Sequence, residues 1–485
     1  MKPASVKSTC LAVAGSLLLL SISSGMAAAP GAPSATISVA GTRWGTSTCY
    51  IGATEGNTRF DIEDLRDAGI NTYRIFGGMS RWEQQDDDGV FGAPSIADIK
   101  ENPEVINWSW WDKAMTKPPG GSDYSWTNAD HVWQGSASEM FRDLKAAGIR
   151  TVLTLRNMDN HGNPEWARTH LNPPTTEAAR NEWWEHVFAT VYWLNVRHDY
   201  RVDDFEIHNE PDSNDQDQGW RGTRAEYEEF AKLTADAIRY VYRTYLPSRH
   251  PSMYAPVTVE GSDWPKSMML NVPDAFNSVD VHDYGWYAQD YVLQVRSWMH
   301  ASGFVGAPLW LSEWGSYEPW YTAPLTGVDL IGSNLIRLSS PGSYVNGSHL
   351  YPFYDWSGDP DVPWTQFQGL INREGERRTS FYGLRIATRA LQGCRPTYQS
   401  TTSDANLTAI TTQDGSGSVY LLVTNASETT SYIATVDLSA LKTTGEGQEW
   451  RYDATHHDVL VGTPVLTGGH VTVWLPAPST VLLKF

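Results

Sequence analysis

Cysteine is scarce in this 485-residue chain: there are three, and Cys10 lies in an N-terminal apolar run. The remaining two, Cys49 and Cys394, are too few for a disulfide framework. A barrel built from the residues between them would hold them near opposite ends, so they are expected as two free thiols. Basic residues are also few, 36 Lys and Arg against 56 Asp and Glu, for a formal charge of −20. Such a surface repels phosphate backbones and anionic lipid, which excludes nucleic acid and membrane surfaces as partners. Charge as a whole is sparse, 19% of residues against 12% aromatic. Disordered chains show the reverse balance, so disorder is excluded for most of the length. After the N-terminal segment no apolar run reaches the ~18–20 residues of a membrane span. A Gly-rich phosphate turn, a Gly-x-Ser-x-Gly elbow and zinc-ligand His/Cys spacing are all missing, so no metal or cofactor is called for. The acid-rich stretch 213–219 fails as an EF-hand, because Ser213 and Arg224 stand where that loop needs Asp and Glu.

What the chain has in quantity is aromatic surface: 22 Trp, 23 Tyr and 13 Phe. Indole faces stack well on the apolar faces of sugars, so a carbohydrate partner is the first expectation. The N-terminus reads as an address. Lys2 and Lys7 precede an apolar run that starts at Cys10, and Ala27, Ala28 and Ala29 precede Pro30. That is the pattern of a cleaved signal peptide over 1–29, so the protein is expected to be secreted, extracellular or periplasmic.

From about residue 40 to 390, short apolar or β-branched runs alternate with helical patterns. Strands are predicted at 42–47, 71–76, 150–155, 205–208, 255–259, 279–282, 308–312 and 348–353, and helices at 137–147, 177–196, 225–245 and 291–300. Gly69 and Gly148 stand where helix C-caps are needed, just before the second and third strands. Eight strand–helix units imply a (β/α)8 TIM barrel, over 35–392. Past Pro396 the pattern changes to short alternating strands at 419–423, 432–438, 450–452, 471–475 and 480–485, separated by Gly, Asn and Ser turns. This reads as a C-terminal β-sandwich over 395–485, to which 36–39 adds a strand. No Pro/Ser linker separates the two modules, so they are expected to pack rigidly, with the sandwich bracing the barrel.

Function is argued from two acids. The fourth barrel strand ends in Asn209-Glu210-Pro211, and the seventh in Ser312-Glu313-Trp314. In a TIM barrel the C-terminal strand ends line the active site, and strands four and seven lie across the barrel from each other. Glu210 and Glu313 are therefore expected to face one another over a small pocket. Glycoside hydrolysis needs such a pair, and a carboxyl separation of about 5–5.5 Å gives retention through a covalent glycosyl-enzyme. Glu206, one layer deeper, is expected to be structural. Glu260 and Asp263 follow the fifth strand, and Asn157 and His161 follow the third at the sugar-contacting face. The long segment 83–133 carries Trp108, Trp110, Trp111 and Trp126, which either wall off a pocket or line a cleft.

Asn209-Glu210-Pro211 with a seventh-strand Glu313 resembles the signature of clan A retaining glycoside hydrolases. The fuller string Phe-Glu-Ile-His-Asn-Glu-Pro-Asp over 205–212, followed by a sandwich, is most similar to glycoside hydrolase family 39. The chain departs from that pattern at His208, where members commonly have Trp. The resemblance implies Glu210 as acid/base, Glu313 as nucleophile and Asn209 as a partner of the sugar 2-hydroxyl. It further implies that Arg74 keeps the nucleophile ionised and that His282 and Tyr284 flank it. Trp356 becomes the floor under the reacting sugar, with Tyr354 as the fallback, and Trp314 a wall or packing. The expected function is a secreted retaining glycosidase acting on oligo- or polysaccharides. The alternatives are an endo-acting β-glycanase of family 5 or 30 type and a non-catalytic carbohydrate-binding barrel.

Overall fold

The computed structural model describes residues 31–56, 59–83, 89–116, 136–156, 173–213, 220–285, 289–315, 325–355 and 369–485. The segment 1–29 expected as a signal peptide, Trp126, Asn157, His161 and Trp356 lie outside these residues. Eight parallel strands close into a barrel: β2 (Tyr50–Thr54), β3 (Thr72–Gly78), β4 (Arg150–Arg156), β5 (Asp204–Ile207), β6 (Ser252–Thr258), β7 (Ser278–Tyr284), β8 (Leu309–Gly315) and β9 (Gly347–Leu350). β2 closes the ring against β9, with Tyr50 opposite Gly347 and Ala53 opposite Leu350.

Helices form where caps and apolar spacing coincide. The helix Ala137–Ala147 begins with Ser136 and Glu139 bonding each other's backbone N–H groups and ends at Gly148, whose φ of 70° closes its last turn. Its buried residues Met140, Phe141 and Leu144 form one stripe turned to the barrel. Much of the aromatic content goes into this helical layer. Trp108, Trp111, Trp183, Trp184 and Trp193 are buried, Trp108 stacks on Tyr192 at 5.1 Å, and the Trp110 indole donates to the Trp82 carbonyl at 3.0 Å. Trp108, Trp110 and Trp111 thus pack the outer layer and neither wall a pocket nor line a cleft.

The predicted first strand 42–47 is not in the barrel. Its residues extend β1 (Ser34–Thr46), which pairs antiparallel with β10 (Pro396–Thr402) and parallel with β13 (Tyr432–Asp437). Residues 34–46 therefore belong to the second module, and the barrel begins at Tyr50. β1 alternates buried and exposed positions over its first half, as a sheet with one wet face does, whereas Ile51 to Thr54 are buried without alternation.

The second module adds β11 (Leu407–Gln413), β12 (Val419–Asn425), β14 (Gly445–Glu446), β15 (Gln448–Asp453), β16 (His457–Gly462), β17 (Val465–Leu466), β18 (His470–Leu475) and β19 (Ser479–Lys484). Nine of its strands hydrogen-bond into one sheet in the order β16-β15-β19-β12-β11-β10-β1-β13-β18, and β14 pairs with β17 apart from it. The sheet curls on itself, so that Ile37, Leu421, Val436, Val473 and Leu483 from five different strands share one core. Its outer face joins the barrel core through Ile410, Leu422, Tyr452 and Leu482. At this seam a Cβ added to Gly327 would lie 2.3 Å from the Tyr452 hydroxyl, and buried Asp458 receives Arg385 Nε at 2.6 Å and Arg389 Nη2 at 3.1 Å.

Cys49 and Cys394 form a disulfide, which corrects the expectation of two free thiols. The reason is the path of the chain. It leaves β1 for the barrel at Ser47 and returns to β10 through Arg395, and the two segments run together: Ser47 N donates to Arg395 O at 2.8 Å and Gly393 N to Cys49 O at 3.1 Å. The cysteines thus share one end of the barrel.

Candidate active site

The mouth of the barrel is assembled around one buried cation. Arg74, on β3 and fully buried, donates through Nε to Glu206 at 2.6 and 2.9 Å, through Nη2 to Asn209 Oδ1 at 2.8 Å, and through Nη1 to Glu313 Oε1. Glu206 also accepts from Thr154 Oγ1 at 2.6 Å. A buried guanidinium without carboxylates would be costly, as would the carboxylates without it, so the three groups hold one another in place. Glu206 is one strand layer below the mouth, as its sequence position implies.

Glu313 is held on its other side by Tyr284, whose hydroxyl donates to Oε2 at 2.6 Å. His282 lies between the two carboxylates. Its Nδ1 is 2.7 Å from Glu210 Oε1 and 3.6 Å from Glu313 Oε2, and its Nε2 is 3.1 Å from Ser312 Oγ. One carboxylate oxygen of Glu210, one of Glu313 and a ring nitrogen of His282 all lie within 4.8 Å of one another. These three do not suit a cation well, because Arg74 already places a positive charge on Glu313 and Tyr284 occupies its other oxygen.

Burial works against charge on Glu313, but His282 first and then Arg74 outweigh it, and the carboxyl is held below its usual range. For His282 burial opposes the charged form too, and Glu313 and then Glu210 overcome it, so its pKa is raised. The Tyr284 phenol is pushed well above its ordinary value, by burial and then by Glu313, and stays a hydrogen-bond donor.

Glu210 is presented by a contorted strand end. His208, Glu210 and Val257 all have positive φ, at 71°, 44° and 57°. The Glu210 N–H donates to the Val257 carbonyl at 2.9 Å, so a β-branched residue in the left-handed region anchors the backbone of an acid. His208 is fully buried and accepts the Asn209 N–H on Nδ1 at 2.8 Å. Burial first, then Arg156, lowers its pKa to about 3, so it is neutral.

Arg74, Asn209, Glu210, His282, Tyr284 and Glu313 are therefore brought together as expected. Trp314 is fully buried in the barrel core, which makes it packing and not a wall. Tyr354, the fallback floor, is also fully buried, and its hydroxyl bonds the Asp61 backbone at 3.0 Å. Glu260 is exposed and accepts the Tyr284 N–H at 2.9 Å, while Asp263 pairs with Arg224 at 3.3 Å. Three residues escaped the sequence reading. Tyr351 packs edge-on against Tyr284 at 6.2 Å, and burial followed by Glu313 raises its pKa. Asp280 and Ser312 lie behind His282, with the Ser312 N–H donating to Asp280 Oδ1 at 3.2 Å. Asp280 precedes His282 by two positions on one strand, and period-two alternation places them on the same face.

No protein-family model matches the chain, and no curated protein is matched by it. Solved structures do share its fold. A glucosidase from Croceicoccus marinus superposes with a TM-score of 0.64 at 13% identity, covering 93% of this chain and 98% of that one. A family 30 endoxylanase from Clostridium papyrosolvens C71 gives 0.61 at 14% identity, covering 93% and 99%. A family 39 β-xylosidase from Caulobacter crescentus gives 0.60 at 18%, covering 93% and 99%. The chain thus has the barrel-plus-sandwich fold of these glycoside hydrolases, and the clan A resemblance, family 39 included, agrees with that fold.

Proposed function

We propose that this protein is a secreted retaining glycoside hydrolase, similar to family 39, that cleaves oligo- or polysaccharides by double displacement. One observation carries the reading: carboxylate oxygens of Glu210 and Glu313 within 4.8 Å of each other at facing strand ends. That closeness is in keeping with the shorter carboxyl separation of retaining enzymes, about 5–5.5 Å, and not with the roughly 6.5–9.5 Å of inverting ones. Glu313, kept ionised by Arg74 and the Tyr284 hydroxyl, attacks the anomeric carbon. As the glycosidic C–O bond breaks, Glu210 gives its proton to the departing oxygen, leaving an alcohol and a glycosyl ester on Glu313. Esterification removes the negative charge on Glu313, which favours Glu210 as a carboxylate. Glu210 then takes a proton from water, whose oxygen displaces Glu313 and restores both groups. Asn209, whose Oδ1 accepts from Arg74 at 2.8 Å, is the partner this reading assigns to the sugar 2-hydroxyl.

Secretion is supported by the basic and apolar N-terminus and by the Cys49–Cys394 disulfide, which persists in an oxidising compartment. The test is hydrolysis by the mature protein across a panel of glycosides and plant and bacterial polysaccharides, with Glu210→Gln and Glu313→Gln run beside it. Turnover lost in both variants supports the assignment, and the product lengths separate exo from endo action. Binding of one glycan without turnover would instead make this a carbohydrate-binding barrel.

A further inference from the structure

The turn that follows β6 is bonded to both arms of the active site, and the double-displacement chemistry gives it no role. β6 ends at Thr258, which pairs with Val281 of β7. The chain continues through Val259, Glu260 and Gly261, whose φ of 77° turns it. On the acid/base side, the Glu210 N–H donates to the Val257 carbonyl at 2.9 Å, and Asp212 Oδ1 accepts the Val259 N–H at 3.1 Å. On the nucleophile side, Glu260 Oε2 accepts the Tyr284 N–H at 2.9 Å, and the Tyr284 hydroxyl donates to Glu313 Oε2 at 2.6 Å. The direction of each bond is fixed, because a backbone N–H or a phenol gives to a carbonyl or a carboxylate.

We propose that Glu260 is a positioning residue of the reaction: its carboxylate anchors the end of β7 and so fixes where the Tyr284 hydroxyl meets the nucleophile. The reason lies in the strand end. Successive N–H groups of a strand point to opposite neighbours. The Gly285 N–H donates toward β8, to the Gly315 carbonyl at 2.8 Å, so the Tyr284 N–H points to the β6 side. There β6 has already ended, and an acceptor has to come from outside the ladder. The Glu260 side chain supplies it, and Tyr284 carries the constraint across its own ring to Glu313 Oε2.

Because the same turn is bonded to Glu210 and Asp212, residues 257–260 set the acid/base arm and the nucleophile arm against one short piece of backbone. A misplacement of about 1 Å in such a pair can cost about a hundredfold in rate. Glu260 itself is exposed, so its substitution changes position at the mouth and leaves the core intact. Glu260→Ala removes the acceptor. Glu260→Gln removes the charge and keeps a carbonyl that accepts the same N–H. The two variants therefore separate the hydrogen bond from the charge.

The kinetic half of this proposal rests on the glycosidase reading, whereas the bond itself is measurable without substrate. The experiment is hydrogen exchange at the Tyr284 amide of the whole protein, read by mass spectrometry in overlapping peptides that end on either side of it. Exchange is expected to be slow in the wild type and in Glu260→Gln, and about tenfold faster in Glu260→Ala, with melting temperature unchanged in all three. In kinetics, Glu260→Ala should lower kcat about tenfold with KM close to wild type, and Glu260→Gln should keep kcat within about threefold. Wild-type exchange at Tyr284 in Glu260→Ala overturns the proposal. Faster exchange with wild-type kcat overturns its link to Glu313. A loss in Glu260→Gln as large as in Glu260→Ala, or a raised KM with unchanged kcat, makes the carboxylate a sugar contact and overturns the positioning role. If the wild type hydrolyses no glycoside, the functional reading fails, while the exchange result still decides the bond.

Discussion

Arg74 binds the catalytic candidate Glu313 through one terminal nitrogen and the deeper Glu206 through Nε, the latter at 2.6 Å. One buried cation therefore serves both the fold and the electrostatics of the mouth. Arg74→Met removes the cation that two buried carboxylates share and should cost about 3–5 kcal/mol of stability. Glu313, normally held low, would then rise, moving the acid limb of activity to higher pH. In the wild type, the Glu313 contribution to stability is present above about pH 4.3 and is lost as pH falls through its lowered value. Denaturant unfolding and a pH–rate profile of the variant check both effects.

The second prediction concerns Val257, whose φ of 57° is unusual for a β-branched residue. Val257→Gly should relieve strain of about 1–3 kcal/mol, partly offset by the lost burial of the side chain. Its carbonyl, which holds the Glu210 N–H, would become less fixed. Turnover of substrates with poor leaving groups should fall although stability changes little, as thermal melts and kinetics together would show.

Removing the Cys49–Cys394 bond should weaken the fold and spare the chemistry. The disulfide sits where β2 begins, at the barrel end opposite to the carboxylates. Cys49→Ser or Cys394→Ser should lower stability by about 2–5 kcal/mol, with kcat within about twofold of wild type. Thiol titration of the denatured, unreduced protein should detect neither Cys49 nor Cys394.

Two buried histidines make the fold acid-sensitive. His186 and His208 both have pKa values lowered to about 3, principally by burial. Their unfolded values are ~6.5, so the unfolded chain binds more protons and stability falls as pH drops from about 6.5 toward 3. His282 acts with the opposite sign: its contribution is present below ~6.5 and is lost as pH rises through its raised value. Melting temperature measured from pH 7 to 4 should decline, and His186→Gln should make that decline shallower.

These relationships were unequally visible in the sequence. Seven barrel strands announce themselves because each is an apolar run followed by a helical pattern, and Glu210 and Glu313 because each ends such a run. The first strand was misplaced because 42–47 is extended but pairs with β10, while Gly52 in the true strand has weak β character. That glycine is there for space: a Cβ would lie 1.9 Å from the Thr72 carbonyl. The disulfide was hidden because its partners are 345 residues apart and meet only through the return of the chain to β1. Composition misled about tryptophan, since burial between helices uses the same large apolar faces that sugars do. Asp280 was legible by alternation from His282, but Ser312 was not, because the register slips between Val281 and His282 against β8.

The central claim is that Glu313 carries the sugar. Its most direct measurement is mass spectrometry of the protein after reaction with the 2-deoxy-2-fluoro analogue, bearing a good leaving group, of whichever glycoside it hydrolyses. The account predicts one covalent glycosyl adduct, mapped to the peptide containing Glu313 and absent from Glu313→Gln. Hydrolysis of the parent glycoside with no adduct and with inverted product, or an adduct on another residue, would contradict it.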